Sequence, residues 1–221
     1  MMTVSYIFFA LFAIVSVIHL IHTWMERGKM RAYTKPLLLL TLLAAYCFAA
    51  RPVSWILVAA LATSWLGDVL LMPHGNKWFV MGGVSFLISH IFFMFVYLGD
   101  IVWNRVNLFV LVPVAVVYYG VSVAVTLSLK ENLPKPMLVP MILYLLFNST
   151  MNLFALSRLM TLGTVGAVLA YVGAVFFFIS DCTLYLVRYH KKEDLIFKKH
   201  FTVMLTYILG ECLITVGILL G

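Results

Sequence analysis

Charge is scarce in this sequence. Only 15 Lys and Arg and 8 Asp and Glu occur among 221 residues, a 10% share, while 64% of the residues are apolar. A soluble domain carries roughly 25% charged and about 45–50% apolar residues, so this chain cannot cover itself with a water-facing surface. Polar linkers and low-complexity tracts are missing too, which leaves no separate soluble module. The three cysteines, Cys47, Cys182 and Cys212, stand singly inside apolar runs. Without metal or redox spacing they read as small buried hydrophobes. The residues ahead of the first loop lack a basic n-region and a small-residue cleavage site, so the first apolar run is expected to be retained as a helix.

What the chain does have is long apolar runs, with a mean hydropathy of +1.09. A membrane span needs about 20 apolar residues. Breaks at charged, Pro and Gly clusters divide the sequence into eight such runs, at about 3–23, 36–50, 53–72, 78–98, 107–129, 137–156, 162–187 and 201–220. The expected fold is therefore an all-α membrane protein, a bundle of eight transmembrane helices forming a single polytopic domain over 1–221. Pro36 would open the second helix, as proline is well tolerated in a first turn. The excess of +7 basic charges forms no stripe along any element, which argues against nucleic acid. Loops one, three, five and seven hold 12 Lys and Arg, and the even loops hold three, Arg51, Arg105 and Arg158. By the positive-inside rule the odd loops are cytoplasmic and both termini non-cytoplasmic.

Three acids interrupt this pattern. Asp68, Asp181 and Glu211 lie within apolar runs, where a carboxylate is costly enough that it normally faces a partner or a wet cavity. Tyr144, Asn148 and Asn152 fall at i, i+4 and i+8 on the sixth helix and share a face. His90 stands mid-way along the fourth helix, and His19 and His22 near the end of the first read as interfacial. Gly166, Ala170 and Ala174 share a face of the seventh helix that continues to Asp181, and Gly83 precedes His90 by seven residues. Small residues mark close helix packing, so Asp181 and His90 are expected to point into the bundle. Each half of four helices carries an acid on its third helix and a polar group on its fourth.

Ser64-x-x-Gly67-Asp68-x-x-Leu71-Met72, Phe79-x-x-Gly82 with Phe86 and His90, Ser180-Asp181 and Thr206-Tyr207 together resemble the YhhN-type lysoplasmalogenases, integral membrane alkenyl ether hydrolases. Lys35-Pro36 and the Tyr144…Met151 spacing are similar to that family as well. The chain departs from it at Ile208 and Glu211, where many members carry a second Tyr and a Gln. The resemblance implies hydrolysis of the vinyl ether bond of lysoplasmalogens to a fatty aldehyde and glycerophosphoethanolamine or glycerophosphocholine, with Asp68 and Asp181 as the catalytic pair and no cofactor.

That chemistry suits two acids. A vinyl ether is hydrolysed by protonating its outer alkene carbon, and water then attacks the oxocarbenium ion. One carboxyl must give a proton while a second negative charge stands by, a division of labour that paired acids achieve in a low-dielectric site. His90 is a candidate to orient an acid, Tyr144, Asn148 and Tyr207 to position water or the glycerol hydroxyl, and Lys35 to meet the phosphate, with Glu211 a further substrate-binding candidate. Asp68, His90 and Asp181 with His19 or His22 include zinc-type ligands, but no compact His-x-x-x-His framework is present and protonating an alkene needs no Lewis acid. The competing class is a proton-coupled transporter, which also buries acids, though repeat symmetry is weak. The expected partners are the lysophospholipid substrate and membrane lipid, with a homodimer allowed and no nucleic acid. The setting is a bacterial inner membrane or the endoplasmic reticulum.

Overall fold

The computed structural model describes residues 2–192 and 194–221. The described residues form eight α-helices, α1 Met2–Trp24, α2 Gly28–Ala49, α3 Trp55–Leu70, α4 Asn76–Leu98, α5 Leu108–Leu129, α6 Leu138–Leu162, α7 Val165–Tyr189 and α8 His200–Leu219. Short 3₁₀ turns at Trp103–Arg105 and Lys135–Met137 precede α5 and α6. All but α3 are long and apolar enough to cross a membrane, so the chain is a multi-pass integral membrane protein. At 16 residues, α3 rises about 24 Å against a hydrocarbon core of about 30 Å.

Side chains set several helix starts. Ser54 caps α3 by accepting from the Leu57 N–H, Asn107 caps α5 through the Phe109 N–H, and Thr164 caps α7 through the Ala167 N–H. Each satisfies a donor that the first turn leaves without an intrahelical acceptor. Gly163, at φ 63°, ends α6 in the left-handed conformation that favours glycine.

Two boundaries differ from expectation by more than a helical turn, and both differences bear on function. Helix α2 starts at Gly28, so Pro36 lies inside it. The run Lys29-Met30-Arg31-Ala32 is made of good helix formers, and it carries the helix outward past the proline. Lys29, Arg31 and Lys35 are thus helical residues and not members of a loop. Helix α6 continues to Leu162, well beyond residue 156. Arg158 does not end it, because its side chain is buried and its Nε donates to Asp100 Oδ2 at 2.7 Å.

The chain packs as two compact units, one ending at Phe93 and one spanning Met94–Gly221. In the first, α1 packs on α2 and α2 on α3. Hydroxyl groups tie α3 to α4: Ser64 and Ser89 lie 2.6 Å apart, Ser89 donates to Ala60 O, and Ser85 donates to Thr63 O. The close glycine on α4 is Gly82, where a Cβ would meet the Leu71 side chain at 2.7 Å. Gly83, the expected packing residue, has open space. In the second unit α7 and α8 approach to backbone contact. A Cβ on Gly173 would lie 2.6 Å from the Ile214 nitrogen, and one on Gly210 2.9 Å from the Phe177 nitrogen. Gly166, Ala170, Ala174 and Asp181 are all buried on α7, the face that the small-residue spacing predicts.

Candidate functional site

In the first unit the polar centre is Asp68. The buried residues of α3, Leu57, Ala60, Leu61, Ser64, Gly67 and Asp68, recur at three and four positions, so one stripe carries both the apolar contact and the acid. Gly67 makes room for the Phe86 ring, which a Cβ would meet at 2.6 Å. The Asp68 side chain is 3% exposed and its Oδ1 stands 3.2 Å from Lys35 Nζ, on a side chain that is 18% exposed. Lys35 reaches it because α2 is already helical there. Trp65 Nε1 donates to Pro36 O at 3.0 Å and fixes α3 against the same turn of α2. On the other side of that turn, His19 Nδ1 lies 2.7 Å from Thr34 Oγ1 and the ring is buried. His19 is thus packed by α1 against α2. His90, on α4, is fully buried beside Ser89.

In the second unit the centre is Asp181. Its Oδ2 accepts from Asn148 Nδ2 at 2.6 Å, and the Tyr144 hydroxyl also hydrogen-bonds it. Asn152 Nδ2 donates in turn to Asn148 Oδ1 at 3.1 Å and to Asn148 O at 3.0 Å. The i, i+4, i+8 strip on α6 is thus one hydrogen-bonded line that ends on the acid. All of its members are buried, which a polar side chain tolerates only when bonded. The neighbouring Ser180 donates to Val203 O at 2.9 Å and locks this turn of α7 to α8. The Tyr144 ring meets Tyr185 edge-on, and the Tyr207 ring likewise meets Phe177, with centroids 5.7 and 5.5 Å apart. Glu211 is fully buried on α8.

The sequence model of the YhhN family matches residues 30–218. The chain belongs to the YhhN family. No curated protein and no solved structure matches it. For this YhhN chain, the match runs from the first turn of α2 almost to the end of α8, so Lys35, both aspartates, His90, Tyr144, Asn148, Tyr207 and Glu211 all fall inside it.

The fold brings Lys35 to Asp68, and Tyr144 and Asn148 to Asp181. Within either unit, among the described residues, no three His, Cys, Asp or Glu side chains group closely enough to hold a metal ion. Three features of the YhhN chain escaped the sequence reading. The Lys35–Asp68 contact was hidden by the misplaced start of α2. The Arg158–Asp100 pair was hidden because a charge near the end of an apolar run reads as a loop. A basic cavity at the α7–α8 turn lies in a stretch with no periodic signal.

Proposed function

We propose that this YhhN-family protein is a lysoplasmalogenase, which hydrolyses the vinyl ether bond of 1-alkenyl lysophospholipids to a fatty aldehyde and a glycerophospho-base. Family membership over residues 30–218 carries the reading. It gains support from a buried acid in each unit, each with its own fixed partner.

The partners suggest a role for each acid. Asp68 faces an ammonium and is the carboxylate that stays ionised, since an opposite charge nearby favours the charged form. Asp181, held by the neutral Asn148 amide and Tyr144 hydroxyl, is the proton donor. It protonates the outer alkene carbon, which leaves an oxocarbenium ion at the inner carbon. Water adds there and gives its proton to Asp68, forming a hemiacetal. The hemiacetal C–O bond then breaks. The glycerol oxygen takes the proton from Asp68 while the hemiacetal hydroxyl returns one to Asp181, so both acids end as they began. Glycosidases meet a related cation with paired acids, an analogy of chemistry and not of fold.

The test is aldehyde release from an alkenyl lysophospholipid by purified protein in detergent. Asp68→Asn and Asp181→Asn should each fold and lose at least roughly 10²–10⁴-fold in rate, the usual size of acid–base catalysis. Near-normal turnover in both variants overturns the mechanism. A proton-coupled carrier, the competing class, would release no aldehyde.

A further inference from the structure

The end of α7 and the described residues between it and α8 line an open cavity of about 200 Å³. Four basic side chains line it, Arg188, His190, Lys192 and Lys199, beside the apolar Leu195 and Ile196. Mostly polar, with the cations of Arg188, Lys192 and Lys199 on its wall, the cavity suits a phosphate. The basic character is selective: Lys191, in the same stretch, turns out to Glu131, with 4.0 Å between Nζ and Oε2. Two further details shape the site. The Lys192 backbone N–H donates to His190 Nδ1 at 3.0 Å, so that nitrogen is the acceptor and Nε2 is left as the ring's donor. Lys198 and Lys199 have φ of 47° and 31°, a region that lysine seldom adopts. The backbone there takes an unfavourable path, and that path leaves Lys199 lining the cavity.

Position gives the cavity its meaning. Arg188 follows Asp181 by seven residues on one continuous helix, which places the basic wall about 10 Å along α7 from the acid. That is comparable to the extended glycerol between the phosphate and the vinyl ether of one lysophospholipid. Lys35, the residue first expected to meet the phosphate, is engaged with Asp68.

We infer that the α7–α8 cavity binds the phosphate of the phospholipid headgroup, with Lys192 and Lys199 as its principal cations. The inference rests on the lysophospholipid reading above. It gives the substrate a direction, headgroup at the α7–α8 turn and alkenyl chain toward Asp181.

The experiment measures binding to the full chain in detergent with two saturated ether probes that cannot be hydrolysed, a 1-alkyl lysophosphatidylcholine and an uncharged 1-alkylglycerol. Lys192→Gln/Lys199→Gln should weaken the phosphate-bearing probe by at least about tenfold, the scale of a lost charge-assisted contact, and leave the alkylglycerol unchanged. Lys192→Arg/Lys199→Arg should retain the affinity, and Lys191→Gln should not alter it. Equal affinity in wild type and the double Gln variant overturns the inference, as does equal weakening of both probes. Inorganic phosphate that binds as tightly as the lipid probe would make this a free-phosphate site and overturn the headgroup assignment. Aldehyde release by wild type is scored separately. Phosphate-dependent binding without aldehyde sinks the hydrolase reading alone, and aldehyde without phosphate-dependent binding sinks this inference alone.

Discussion

Lys35 and Asp68 are unequally exposed, 18% against 3%, and the inequality decides what loss of either does. Lys35→Met strands a buried carboxylate, which costs about 3–5 kcal/mol when a buried pair is broken. Asp68→Asn leaves an ammonium that is only partly buried and should cost less, and the double variant should recover much of the loss. Thermal unfolding in detergent checks this; equal losses in the two single variants would contradict it. Arg158 and Asp100 invert the pattern, with the guanidinium 2% and the carboxylate 44% exposed. Here Asp100→Asn should lower the melting temperature more than Arg158→Met, because only the first strands a buried charge. The acids themselves were legible in the sequence, since a carboxylate inside an apolar run is expensive wherever it occurs. The Asn148 and Asn152 strip was legible from spacing alone. Partners such as Lys35 were not, because which turn faces which depends on where α2 begins.

At the scale of elements, α7 and α8 touch through backbone, with Gly173 and Gly210 on the facing surfaces. Membrane helices gain from such contact through dispersion and not through water exclusion, so the fit is intolerant of bulk. Gly173→Val should force the helices apart and reduce the recovery of monodisperse protein and its melting temperature. A conservative Val172→Ile, at a residue more than a third exposed, should do neither. If Gly173→Val is as stable as wild type, α7 and α8 do not depend on this contact. The sequence announced this surface through the Gly166, Ala170 and Ala174 spacing. It misled at α4, where two adjacent glycines are indistinguishable by pattern and only Gly82 faces a neighbour.

For the whole molecule, the two units divide the chain so that each holds an acid on its third helix, Asp68 on α3 and Asp181 on α7. The eight helices were readable from hydropathy, but the length of α3 was not, because Val53, Ser54 and the residues after Leu70 extend its apolar run without being helical. Orientation turns on that helix. Counting only Lys and Arg outside the α-helices, the asymmetry is 7 against 2, and the positive-inside rule predicts non-cytoplasmic termini if α3 crosses. Single cysteines at Arg51 and His74, in a chain whose native cysteines are replaced, should then label from opposite faces of the membrane. Labelling from one face would make α3 re-entrant.

The two acids are also held by forces of different kinds. Around Asp181 the side-chain amides donate the same way, Asn152 to Asn148 and Asn148 to the Asp181 carboxyl group, so neutral dipoles and no ion hold it. Asp68 is paired instead with a true ion whose side chain is partly exposed, and exposed pairs are screened by electrolyte. Raising ionic strength therefore loosens the Lys35–Asp68 pair, as it does the half-exposed Arg158–Asp100 pair, and is scarcely felt along the amide line that ends on Asp181.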